Sequence, residues 1–143
     1  MDDDMTEGAG RRQGNDLTGF GTVVGDRPLA GRRVLIAEDN VILSMHVAEV
    51  LERAGAEVVG PYPFVVDVMA AVDRAPPDLA VLDHELMDDT SDRVANRLGE
   101  LGVPYAYFTS HERSDVPCGD DVPVVSKPNA ATELVGVVSR LLD

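Results

Sequence analysis

Four places along the chain carry residue types that together could handle a phosphoryl group: Glu38-Asp39, Asp83, Thr109 and Lys127. Glu38 and Asp39 are adjacent carboxylates, and like charges this close repel unless a cation or a donor lies between them. With Asp83 as a third carboxylate in one pocket, the group calls for a hard cation, and Mg²⁺ suits oxygen ligands shared with a phosphate. Asp83 could then serve as a nucleophile toward phosphorus, the carboxylate route to an aspartyl phosphate. The Thr109 hydroxyl and the Lys127 ammonium could neutralise the equatorial oxygens of the transferred group. Lys127 is the only lysine beside eleven arginines. A compact ammonium fits a small space that a forked guanidinium does not. Each residue also has a plainer reading: a solvated acidic turn, a strand-end turn former, a β-branched strand residue, a solvated charge. Their joint placement at strand ends favours the chemical reading.

The elements that would position them are short apolar runs alternating with helical periods. Strands are predicted over residues 34–37, 57–60, 79–82, 103–108 and 122–125, the second broken by Pro61 and Pro63. The third is apolar throughout, as a strand buried on both faces should be. Helices are predicted over residues 41–54, with Asn40 or Asp39 as cap and Gly55 as stop, and over 64–74, ended by Pro76-Pro77. A third should run from a Thr90 or Ser91 cap to about Leu101, with Gly102 after it, and a last one should follow Asn129. Residues 110–121 hold Pro117 and Gly119 and read as a loop with at most a short helix. The alternation implies an α/β fold: a five-stranded parallel, doubly wound sheet with helices on both faces. In such sheets the strand C-terminal ends share one edge, where ligands bind. All the chemical residues fall at those ends.

A chain of 143 residues is long enough for one domain with a real core. Residues 1–30 hold six glycines and scattered charges without a period. They read as a disordered extension, with the domain spanning residues 31–143. A net charge of −14 argues against direct contact with nucleic acid, which needs basic surface. No apolar run reaches membrane-spanning length, so no membrane insertion is expected. The acidic N-terminus lacks a signal-peptide plan, and the lone Cys118 fits a reducing compartment, so a cytoplasmic setting is expected.

With these residues in place, the chain from about Arg32 to Leu142 resembles the receiver domains of two-component response regulators, which have a flavodoxin-like fold. Glu38-Asp39 after the first strand, Asp83 after the third, Thr109 after the fourth and Lys127-Pro128 after the fifth carry the resemblance. Val59-Gly60-Pro61, Tyr107-Phe108-Thr109 and the run from Asp121 to Pro128 look most like alphaproteobacterial single-domain receivers. Departures from that pattern are Ser110 and His111 after the threonine, Asn129 after Lys127-Pro128, and Met87-Asp88-Asp89 where many receivers turn on Gly or Pro. Val124 rules out an aromatic switch three residues before Lys127.

The resemblance implies phosphotransfer to Asp83 from a histidine kinase or phosphotransfer protein. It implies Mg²⁺ held by Asp39, Asp83 and the backbone carbonyl of Glu85, with Glu38 acting directly or through water. It also implies a cis bond at Lys127-Pro128, and places Glu85 and His111 beside the path of a hydrolytic water. The expected switch is residues 110–121 with the strand after them. Output would be a contact with an unknown protein or a phosphorelay, from a stand-alone receiver that is not a turnover enzyme. Two alternatives stay open: an unphosphorylated pseudo-receiver acting as an interaction module, and a Mg²⁺-dependent phosphatase using an aspartyl phosphate.

Overall fold

The computed structural model describes residues 27–109, 122–126 and 131–142. Five strands, β1 (Arg33–Ala37), β2 (Glu57–Tyr62), β3 (Leu79–Leu82), β4 (Tyr105–Thr109) and β5 (Val124–Ser126), form one parallel sheet in the order β2-β1-β3-β4-β5. Helices α1 (Val41–Arg53), α2 (Val65–Arg74), α3 (Asp92–Leu101) and α4 (Ala131–Leu141) complete the described elements. This is the flavodoxin-like order, in which the chain reverses direction across the sheet between β1 and β3.

Alternation along β1 builds both layers. Val34 and Ile36 face α1 and α4, packing with Val47, Leu51, Leu134 and Val138. Leu35 and Ala37 face α2 and α3, packing with Val68, Val72, Val94 and Leu98. Successive strand side chains point to opposite faces, so a strand covered on both sides has no polar position to spare. β3 is accordingly buried at all four residues.

Local signals place the helix ends. The Asn40 side chain accepts the Leu43 N–H at 2.9 Å and caps α1. Gly55 takes a φ of +103° just past α1, and Gly102 adopts the left-handed conformation at the end of α3. Ser91 stands at the N-cap position of α3, but its hydroxyl donates to the His84 carbonyl at 3.3 Å and caps nothing.

Several boundaries differ from the sequence reading: β4 and β5 each begin two residues later than expected and end one later, and two differences are more telling. β2 does not end at Pro61: its pairing with β1 shifts register between Leu35 and Ala37, and the strand then continues to Tyr62. It is an edge strand, where a residue without an N–H is tolerated because one side of the ladder is unpaired. The folded unit also begins before Gly31. Leu29 is fully buried in the α1–α4 layer, and its N–H donates to the Ala54 carbonyl at 2.8 Å. A single leucine seals the end of α1, which periodicity over so short a stretch could not reveal. Residues 1–26 of the expected extension, the segment 110–121 with His111 and Cys118, and Lys127, Pro128 and Asn129 lie outside the described residues.

Candidate metal and phosphoacceptor site

The site grows out of one register relationship. β1 and β3 are neighbours, with Ala37 opposite Leu82. The next residues, Glu38 and Asp83, therefore emerge together from the same edge, and the Asp83 N–H donates to the Ala37 carbonyl at 2.8 Å. One carboxylate oxygen from each of Glu38, Asp39 and Asp83 lies within 4.8 Å of the others. Glu38 and Asp83 are 4% and 6% exposed, too little for water to screen their mutual repulsion well. Asp39 is half-buried and forms the open side of the cluster.

Backbone contacts hold these side chains in place. The Glu38 N–H donates to the Tyr62 carbonyl at 3.0 Å, pinning the β1–α1 turn to the end of β2. The Asn40 N–H donates to a Glu38 carboxylate oxygen at 3.1 Å. That contact fixes the Glu38 rotamer and partly offsets its charge. A set of three hard, anionic oxygen donors at one sheet edge fits Mg²⁺, which takes carboxylates and keeps waters for the remaining positions.

Thr109 closes β4 and is fully buried, with Ser126 as its register partner on β5. The chain position after Ser126 belongs to Lys127, whose place lies outside the described residues. Glu85 opens the turn after Asp83 and pairs with Thr90 in an isolated antiparallel bridge.

That turn carries two residues to which the sequence reading gave no role. His84 is nearly buried, with Nε2 3.3 Å from an Asp92 carboxylate oxygen and its ring edge-on to Tyr107 at 6.1 Å. It packs the residue next to Asp83 against β4 and the start of α3. Asp88 reaches α2: its carboxylate accepts the Val65 N–H at 2.6 Å and the Val66 N–H at 3.3 Å. The Val65 N–H holds the Asp88 carboxyl below its usual 3.8; desolvation opposes it, and the N–H groups of Val66, Asp88 and Asp89 add to the lowering. A sequence signal for this contact did exist. α2 begins after Phe64, which has no capping side chain, so its first N–H groups need an acceptor from elsewhere.

An exposed apolar strip borders the acidic cluster. Val41, Ile42 and Met45 on the first turns of α1 are 68%, 77% and 63% exposed. Helical spacing puts residues 41, 42 and 45 on one side of the helix just beyond Asp39.

Comparison with known proteins places this geometry in context. No protein-family model matches the chain. It is 31% identical over 81 residues to the transcriptional regulatory protein PdtaR of Mycobacterium tuberculosis, a match covering 53% of this chain and 40% of PdtaR. The response regulator PhyR from Brucella abortus superposes with a TM-score of 0.70 at 23% identity, over 82% of this chain and 51% of PhyR. SdrG from Sphingomonas melonis Fr1 does so with a TM-score of 0.68 at 27% identity, over 80% of this chain and 97% of SdrG. The chain thus spans about half or less of PdtaR and PhyR, but nearly all of SdrG. Its fold is the receiver fold of response regulators, and alphaproteobacterial proteins are among those it resembles.

Proposed function

We propose that this chain, which has the response-regulator receiver fold, accepts a phosphoryl group on Asp83 from a phosphohistidine donor. It would then signal through a protein contact or a phosphorelay. The observation that carries the reading is the convergence of Glu38, Asp39 and Asp83 at the end of β1 and β3. A purely structural interaction module has no need for three carboxylates within 4.8 Å of one another, two of them buried.

In the proposed reaction an Asp83 carboxylate oxygen attacks phosphorus. The new O–P bond forms as the N–P bond of the donor imidazole breaks, and the imidazole leaves with that electron pair. Bound Mg²⁺ would supply charge neutralisation for the phosphoryl oxygens. Asp39 and Asp83 would hold it, with the Glu85 carbonyl, while Glu38 acts directly or through water. The buried Thr109 hydroxyl and Lys127 would meet the remaining oxygens. Asp83 is consumed and regenerated by hydrolysis, so the chain is an acceptor and not a turnover enzyme.

The donor would be a histidine kinase or a phosphotransfer protein. The apolar strip of Val41, Ile42 and Met45 beside the cluster supports docking of such a partner. A cytoplasmic setting follows from such a donor. None of the described helices is long and apolar enough to cross a membrane.

The test is intact mass after incubation with acetyl phosphate. Wild type with Mg²⁺ should gain one phosphate, and both chelation and Asp83→Asn should abolish the gain. A full mass shift in Asp83→Asn, or none in wild type with Mg²⁺, would sink the reading.

A further inference from the structure

The turn after Asp83 is fastened to α2 and not only to its own strand and helix. Its base is closed by the Glu85–Thr90 bridge and by the Ser91 N–H donating to the His84 carbonyl at 2.8 Å. Leu86, 8% exposed, anchors its middle in the core, and the Leu86 N–H donates to the Asp89 carbonyl at 2.9 Å. The tip then crosses to the neighbouring helix. The Met87 N–H donates to the Pro63 carbonyl at 2.9 Å, and the Asp88 carboxylate takes the first two N–H groups of α2. Thus a residue 23 positions away in sequence caps a helix that has no cap of its own.

We propose that Asp88 is a positioning residue for the metal site: by capping α2 it fixes the turn that carries Asp83 and Glu85. The contact works in both directions. The N-terminus of α2 has orphan N–H groups and the positive end of the helix dipole, so it holds the carboxylate firmly. The turn lacks the Gly or Pro that would set its course locally, so its course is set by what it grips. Loss of the Asp88 side chain leaves Met87 as the tip's one backbone link to the β2–α2 turn among these contacts, and the segment after Asp83 gains freedom. That freedom must be lost again when the oxygens converge on a cation. Asp88 touches neither the cation nor the phosphoryl group. The role rests on the proposed function, since it presumes that the Glu38, Asp39 and Asp83 cluster binds a divalent ion.

The experiment measures Mn²⁺ binding to the full chain by the loss of the free-ion electron paramagnetic resonance signal. It compares wild type, Asp88→Ala, Asp88→Asn, Arg97→Ala and Asp83→Asn. Mn²⁺ takes the same oxygen ligands as Mg²⁺. Asp88→Ala should weaken binding about tenfold, the lower end of what removing a ligand's supporting partner costs. Asp88→Asn keeps one acceptor for the Val65 N–H and should show a smaller but measurable loss. Arg97→Ala removes the 2.9 Å link from α3 to Asp73 of α2, and should lower thermal stability without changing Mn²⁺ affinity. Wild-type affinity in Asp88→Asn, or a loss in Arg97→Ala as large as in Asp88→Ala, would overturn the role. If Asp88→Ala does not fold, Asp88→Asn decides. A wild type that ignores Mn²⁺, or an Asp83→Asn that binds it equally well, would instead overturn the metal site, and the positioning role with it.

Discussion

Ala37 and Leu82 are register partners in adjacent parallel strands, and this pairing sets Glu38 beside Asp83. Neither carboxylate owes its position to a local motif. Each simply follows the last buried residue of its strand, and the sheet brings the two ends together. A shift of one residue in either strand would swap its side chains between the two core layers, draw Glu38 or Asp83 toward the buried sheet or away from it, and part the two acids. The hydrophobic pattern of β1 and β3 therefore protects the site geometry as well as the core.

A cation bound at the cluster should stabilise the fold. Replacing Asp39 by Asn removes one of three neighbouring charges and should leave the metal-free protein as stable as wild type or more so. Mg²⁺ at a hundred times its dissociation constant should stabilise wild type by about 2.7 kcal/mol. Asp39→Asn should lose most of that increment. Thermal melts with and without Mg²⁺ check this, and an increment of wild-type size in the variant would contradict the ligand role of Asp39.

The cap on α2 should be pH-sensitive in a definite direction. The Asp88 carboxyl has a lowered pKa in the folded protein because the Val65 N–H, and then Val66, stabilise its anion. A depressed folded-state pKa adds stability that is fully present above the unfolded value and is lost as pH falls through the folded value. The stability gap between wild type and Asp88→Asn should thus be constant near neutrality and shrink below about pH 4. Urea melts across that range test it. A gap that widens on acidification would have the wrong sign.

The seam between residues 29–30 and the end of α1 should be sensitive to small changes. Leu29 is fully buried, so Leu29→Ala should cost about 2–5 kcal/mol, the usual range for a core leucine. Gly55 has a φ of +103°, and a Cβ there would lie 2.8 Å from the Ala30 backbone. Gly55→Ala should therefore destabilise by more than about 1 kcal/mol, the upper end of an unstrained Gly/Ala difference. Denaturant titration measures both. A neutral Leu29→Ala would return the residue to the N-terminal extension.

The exposed strip on α1 should separate donor docking from chemistry. Ile42→Glu and Met45→Glu place charges on residues that are 77% and 63% exposed, so the fold should tolerate them. Phosphorylation by acetyl phosphate should be unchanged. Transfer from a phosphohistidine protein should slow roughly tenfold, the equivalent of about 1.4 kcal/mol of lost docking. Equal rates from both donors in wild type and variants would rule out this strip as the docking surface.

Much of this protein is written in short-range pattern. Residues 34–37 and 79–82 are apolar without interruption because both faces of β1 and β3 are covered. Asn40 and Gly102 end helices by chemistry acting within a few residues. The position of Asp83 after a buried strand was legible for the same reason, and the parallel sheet needed only the alternation of periods to bring Glu38, Asp39 and Asp83 to one edge. Pro61 marked a shift of register and not the end of β2, because an edge strand can absorb a proline at an irregularity, and edge position is a property of the whole sheet. Leu29 carried no period, and its burial depends on where α1 ends. Asp88 looked like one more acid in an irregular turn, although the bare N-terminus of α2 required an acceptor from somewhere. Which residue would fill that need was decided only when β3 packed beside β1 and brought the turn after Asp83 over the start of α2. Hydrogen bonds between groups 23 residues apart have no sequence period, and they form only once the packed layers have set the distance.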